Sequence, residues 1–375
     1  MGVLAEQLDL LSATATLCER LPEKAVRCTA CGHRCLIRDG RRGICQVRFN
    51  RDGELRLPWG YVAALQCDPT EKKPFYHLLP GSETLTFGML GCDFHCSYCQ
   101  NWITSQALRD PAADAAIGQV RRITPEALVE AALRMGARVV ASSYNEPLIT
   151  AEWAGAIFAR AVQAGLRCAF VSNGNATPEA LDFLLPYLTA YKIDLKSMRD
   201  GPYRKLGGTL NQVLDTIRRA HDLGLWVEVV TLVVPGFNDS TDELMDAARF
   251  LASVSPDIPW HTTAFHQDYR MLESPATTAT DLVRAAEIGQ EAGLRYVYAG
   301  NLPGRVGSYE NTQCPGCGAL LIERRGYTIL SYRLTAEGRC PGCGSTIAGV
   351  WDTAGGAEMP PVAGGLAGRY PHGVG

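Results

Sequence analysis

The chain has 375 residues, with 36 Lys and Arg against 39 Asp and Glu, a formal charge of −3 and 46% hydrophobic residues. That length allows one large domain or two to three smaller ones, each able to bury a core. Near-neutral charge excludes a global field that would gather nucleic acid or a membrane surface. No basic-then-apolar leader opens the sequence and no apolar run reaches transmembrane length, so a cytoplasmic protein is expected.

Residues 1–80 form a cysteine-rich segment with the spacing Cys28-x2-Cys31-x3-Cys35-x9-Cys45, and His33 between the second and third ligands. Four thiolates saturate either zinc or a cubane iron–sulfur cluster. The short segment, with no helix to cover a cluster, leans toward zinc. Arg34, Arg38, Arg41, Arg42 and Arg48 make it locally basic, which reads as a solvated face.

Residues 81–305 alternate strand-like and helical runs. The strands expected are Thr84–Leu90, Val139–Tyr144, Arg167–Ser172, Tyr191–Leu195, Trp226–Val233, Pro259–Phe265 and Arg295–Ala299. Each is short and largely apolar, as strands buried on both faces are. Thr124-Pro125-Glu126 and Thr177-Pro178-Glu179 read as N-cap followed by proline in the first turn, and Ser240-Thr241-Asp242-Glu243 as a capping box. Repeated βα units predict a parallel sheet, closed toward a barrel or doubly wound, with its active site at the carboxyl ends of the strands. Chemically capable residues fall at those ends: Asn145 and Glu146, Asn173, Asp194 and Lys196, and His266.

Residues 306–352 carry two knuckles, Cys314-x2-Cys317 and Cys340-x2-Cys343, around a predicted hairpin. This is the pattern of a four-cysteine zinc ribbon, with rubredoxin-type iron or an iron–sulfur cluster as the competing occupant. Residues 353–375 are Gly-, Ala- and Pro-rich and read as a disordered tail. The three cysteine groups account for eleven of the fourteen cysteines; Cys18, Cys67 and Cys168 stand apart and read as buried, inert thiols.

The third group is Cys92-x3-Cys96-x2-Cys99, directly after the first core strand, with Tyr98 before the last cysteine. Three thiolates on one loop ligate three irons of a cubane cluster and leave the fourth open to a small molecule. A short zinc knuckle is the competing structural reading. The motif resembles the signature of radical S-adenosylmethionine (SAM) enzymes. The resemblance implies a partial (β/α)6 barrel, a 4Fe-4S cluster that binds SAM at its open iron, and cleavage of SAM to a 5'-deoxyadenosyl radical. It also implies an electron donor such as flavodoxin or ferredoxin.

Ser143-Tyr144-Asn145-Glu146 occupies the place of the family's Gly-Gly-Glu, which holds the SAM amino group, but with Tyr and Asn in place of the glycines. Asp194-Leu195-Lys196, Ser172-Asn173-Gly174 and Phe265-His266 are similar to SAM-facing motifs of the pyruvate formate-lyase activating-enzyme branch. Together with Tyr98 these place Asn145, Glu146, Asn173, Asp194, Lys196 and His266 as expected SAM contacts. The stretch Asp68-Pro69-Thr70-Glu71-Lys72-Lys73-Pro74, Gln100-Asn101-Trp102 and Gly300-Asn301-Leu302 resemble the AmmeMemoRadiSam system, which implies AMMECR-like and Memo-like partner proteins. An activating-enzyme-like attack on a partner protein is the leading functional expectation. Radical modification of a small aromatic metabolite is the alternative. A metal-stapled RNA-binding module is a third reading, disfavoured by the balanced charge and the lack of basic–aromatic strips.

Overall fold

The computed structural model describes residues 3–351, so the expected tail at 353–375 lies outside the described residues. Its centre is one eight-stranded sheet. In chain order the strands are β1 (Ala64–Pro69), β2 (Glu83–Gly88), β3 (Ala137–Ser142), β4 (Arg167–Ser172), β5 (Ala190–Asp194), β6 (Trp226–Val233), β7 (Trp260–Ala264) and β8 (Val297–Gly300). They lie side by side in that same order, with β2 to β8 parallel and β1 antiparallel on β2. Six helices, Pro125–Arg134, Ala151–Gln163, Pro178–Leu184, Leu210–Asp222, Thr241–Val254 and Ala279–Glu291, each cross from one parallel strand to the next. Six β/α units and a closing strand thus form an open, partial α/β barrel, as the βα alternation predicts.

The parallel strands form because they are buried on both sides. Val139, Val140 and Ala141 of β3 are all fully buried although they alternate in direction, which requires a sheet covered on both faces. The predicted helix starts are present: Thr124 and Thr177 accept from the backbone N–H groups of Ala127 and Ala180. At Ser240 half of the capping box is made. Ser240 accepts from Glu243 N, but the Glu243 carboxylate turns away to accept from Ser197 Oγ and Met198 N. It is spent on fixing the loop after β5.

Two small cysteine-bearing units flank the barrel. Before it, Cys18–Arg20, Val26–Cys28 and Leu36–Ile37 form a three-stranded antiparallel sheet. The expectation that the nearby arginines make a solvated face fails at Arg48. It is 1% exposed, pairs with Glu152 and donates from Nε to Ile149 O at 2.7 Å. Arg42 likewise pairs with Asp9 at 2.7 Å. A cation displaced from water needs a partner, and both find one on another element. Among the lone cysteines Cys168 is buried as expected, whereas Cys18 and Cys67 are half-buried.

After the barrel, Leu320–Arg325 and Thr328–Tyr332 form the predicted hairpin. Leu321, Ile322 and Ile347 pack on Tyr76, Tyr296 and Tyr298, which joins this unit to the β8 edge. Arg324 and Glu71, both fully buried, lie 3.7 Å apart across the junction, and Arg324 Nη2 donates to Tyr76 O. No helix among the described residues is long and apolar enough to cross a membrane.

Candidate active site

The loop after β2 carries Cys92, Cys96 and Cys99, and glycines set its path. A Cβ on Gly88 would meet Ser143 O at 2.5 Å, so only glycine lets the end of β2 approach the end of β3. Gly91 has φ +93°, and a Cβ there would lie 2.7 Å from Val47. Inside the loop Phe94 N points at Cys92 Sγ (3.4 Å), and Cys99 Sγ lies 3.2 Å from Ser105 Oγ. Burial pushes all three thiols up, Cys96 to about 12 despite the opposing charge of Lys196. As free thiols they keep their protons; as ligands they need a cation to compensate the thiolate charge.

Their spacing bears on which cation. Among the described residues the only group of three or more ligand atoms all within 4.8 Å of one another is Cys314, Cys317, Cys340 and Cys343. There Cys314 Sγ lies 3.5 Å from Cys343 Sγ, and Cys317 Sγ 3.7 Å from Cys340 Sγ. Those sulfurs fit one metal ion. Cys92, Cys96 and Cys99 form no such group among the described residues, and a cubane, in which each thiolate binds a different iron, asks for none.

Cys96 and Cys99 line a cavity of about 650 Å³ that opens among the carboxyl ends of the strands. Tyr98, Asp194, Lys196 and His266 line it too. Asp194 ends β5 with a lysine on each side: Lys192 pairs with its Oδ1, and Lys196 Nζ lies 3.0 Å from its Oδ2. Burial opposes its charge, but the two ammonium groups prevail and hold the carboxyl at about 2. Gln100 Nε2 donates to His266 Nε2 at 2.9 Å, which leaves the other ring nitrogen to donate to Gln267 O.

The other three expected contacts are not among the residues lining this cavity. Asn145 Oδ1 accepts from Met89 N at the start of the cysteine loop. Glu146 is 3% exposed, and both its oxygens are engaged: Ser172 Oγ and Leu148 N donate to one, Asn173 N to the other. Burial and the nearby Asp93 carboxylate push the Glu146 carboxyl up. Asn173 Nδ2 donates to Asp93 at 2.7 Å. As placed, these groups brace the loop.

Several site residues escape sequence reasoning. Asp93, fully buried in the first cysteine spacer, takes hydrogen bonds from Asn173 and Asn175. The Asn-Gly-Asn run was a signal for it, but nothing local names its partner. Tyr144 lines the cavity with φ +69°, a conformation suited to the glycine that the related motif carries. Its hydroxyl accepts from Lys73 Nζ at 3.1 Å and donates to Gln66, which holds the strained residue in place. Deeper in the barrel Glu228 accepts from Tyr76 N and His77 N and bonds His261 Nε2 at 2.7 Å. His261 is part of the cavity wall.

The family model of the radical SAM superfamily matches residues 87–251. An uncharacterized protein of Methanocaldococcus jannaschii is 37% identical over 332 residues, which is 88% of this chain and 97% of that one. The pyruvate formate-lyase-activating enzyme of Staphylococcus aureus is 23% identical over 240 residues, covering 60% of this chain and 92% of the enzyme. Among solved structures, a domain of pyruvate-formate lyase-activating enzyme from Bacteroides vulgatus aligns at a TM-score of 0.39 and 22% identity, over 43% of this chain and 98% of that one.

Proposed function

We propose, from the match of residues 87–251 to the radical SAM superfamily, that Cys92, Cys96 and Cys99 hold a 4Fe-4S cluster whose open iron binds SAM in the 650 Å³ cavity. When bound, the cluster supplies the electron that splits SAM into methionine and a 5'-deoxyadenosyl radical. The observation that carries this reading is convergence: two of the three loop cysteines share one cavity with Asp194, Lys196 and His266 at the carboxyl ends of the strands.

The protein's own groups supply orientation. Asp194, ionised because Lys192 and Lys196 hold it so, is an acceptor for ribose hydroxyls at neutral pH. Lys196, whose charge is reinforced by Asp194 against burial, suits a carboxylate. Tyr98 and His266 complete the SAM-facing wall. Asn145, Glu146 and Asn173 act one layer out, by fixing the cysteine loop and the β3 end that frame it.

For the substrate, similarity to activating enzymes supports hydrogen abstraction from a partner protein, and this reading calls for an electron donor such as flavodoxin or ferredoxin. The Asp68 to Pro74 and Gly300 to Leu302 motifs support AMMECR-like and Memo-like partners. A small aromatic metabolite is a second reading, favoured by Tyr144 and Tyr327 facing the same cavity. The carboxyl-terminal four-cysteine site is read as structural zinc. The test is anaerobic incubation of reconstituted protein with SAM, reductant and each candidate substrate, read by mass spectrometry. The parent should form methionine and 5'-deoxyadenosine; equal yields from a protein with Cys92, Cys96 and Cys99 all replaced by Ala would refute the assignment.

A further inference from the structure

The amino-terminal cysteines converge, but not as a zinc site does. Cys28 ends the strand Val26–Cys28, and its N–H donates to Cys35 O at 2.9 Å, closing the loop that carries Cys31. Cys31 lies within electrostatic reach of Cys28 and Cys45, and Cys35 within reach of Cys28. Cys28, Cys31 and Cys45 are 5–6% exposed. The four thiols therefore converge, three of them buried and Cys35 half-buried.

Their separation decides what fits there. Zinc–sulfur bonds of about 2.3 Å in a tetrahedron bring sulfurs to about 3.8 Å from one another. The carboxyl-terminal set meets that condition, with pairs at 3.5 and 3.7 Å. Among the described residues the amino-terminal sulfurs form no such close group, and neither do those of Cys92, Cys96 and Cys99. A cubane asks for none, because each thiolate binds its own iron. The x2 and x3 spacings of Cys28, Cys31 and Cys35 also repeat, in reverse, those of the loop after β2.

Donors already point at these sulfurs. Ile44 N lies 3.5 Å from Cys35 Sγ, and the buried Arg48 Nη1 3.8 Å from Cys28 Sγ. Hydrogen bonds to cluster thiolates are a normal part of such sites. Within the same loop the buried Nε2 of His33 has no hydrogen-bond partner among the described residues.

We infer that Cys28, Cys31, Cys35 and Cys45 hold a second 4Fe-4S cluster, replacing the zinc toward which the spacing alone leaned. With four cysteine ligands it has no open iron, so SAM stays with the first loop. The two sets share a wall. Asp93 stands 3.8 Å from Cys92 Sγ and within electrostatic reach of Cys31 and Cys35, and the backbone at Cys45 packs on Gly91.

The test is metal and sulfide analysis of the full-length protein, purified anaerobically and reconstituted with iron, sulfide and zinc all available. The parent should carry about eight irons and eight sulfides per chain, with a single zinc at the carboxyl-terminal set. The Cys92→Ala, Cys96→Ala, Cys99→Ala triple variant should keep half the iron, in a cluster whose EPR signal SAM does not perturb. Cys28→Ala with Cys45→Ala should lose the other half and keep the SAM-perturbed signal. Four irons and two zincs in the parent, or a triple variant without iron, would overturn the second cluster. The triple variant leaves the amino-terminal set intact, so its iron decides the matter even if the double variant misfolds. Failure of the SAM-site assignment has a different signature: all eight irons retained in the triple variant.

Discussion

Replacing Glu146 with Gln separates two roles that one carboxylate can play. Three donors converge on it: Ser172 Oγ at 2.7 Å and Leu148 N at 3.1 Å on Oε1, and Asn173 N at 2.8 Å on Oε2. An amide can offer only one acceptor oxygen. Its least costly orientation keeps that oxygen on Ser172 and Leu148 and turns the NH2 toward Asn173 N, donor against donor. A buried N–H left without an acceptor costs about 1–3 kcal/mol, and the two surviving bonds lose their charge assistance. Against this, the neutral amide escapes the burial and the Asp93 repulsion that act on the carboxylate. The net expectation is a loss of about 2 kcal/mol, read as a melting midpoint lowered by a few degrees in an anaerobic thermal scan. Because Asn173 also holds Asp93, iron retention should fall with stability, and SAM affinity should fall only as far as iron does. An unchanged midpoint and iron content with a tenfold loss of SAM affinity would refute the bracing role, and would mean that Glu146 touches SAM directly.

His77 gives a pH test. Its ring is buried between Ala348 O and Tyr298 OH, each at 2.6 Å, and burial holds its pKa down at about 4. Unfolded histidine titrates near 6.5, so below that pH the unfolded chain binds a proton that the folded chain refuses. Stability should be complete above about pH 6.5 and decline toward pH 4 by up to about 3 kcal/mol. His77→Gln should flatten the change in melting midpoint between pH 7 and pH 5; equal changes in both proteins would count against it. A third prediction concerns Gly208, where a Cβ would lie 2.2 Å from Phe94 Cζ in the buried cysteine loop. Gly208→Ala should cost about 1–3 kcal/mol and lower iron content. Gly201→Ala meets nothing within 4 Å and should do neither; matching losses in the two variants would show that the clash is not the cause.

Local features are legible in the sequence where one short segment carries the whole signal. The parallel strands announce themselves as apolar runs because each is covered on both faces, and the helix starts at Thr124 and Thr177 because a cap and its donor are three residues apart. The carboxyl-terminal hairpin is visible for the same reason. The edge strand Ala64–Pro69 is not legible in this way, since it is half-exposed along its length and shows neither a long apolar run nor a clear alternation of burial.

Charges were the harder class. Arg48 looked like solvent-facing basicity until Glu152, 104 residues away, met it in the core. Glu228 and His261 sit inside runs that read as plain buried strands, and only the alignment of β6 and β7 brings them together. Glu146, Asn173 and Asp93 were legible as polar residues near strand ends, but whether they face a ligand or one another depends on which hydrogen bonds the fold completes. Residue type, cap and ligand spacing are properties of neighbours along the chain, and the sequence alone determines them. The partner of a buried charge is chosen through space, because desolvation must be offset by whatever the tertiary structure brings within reach.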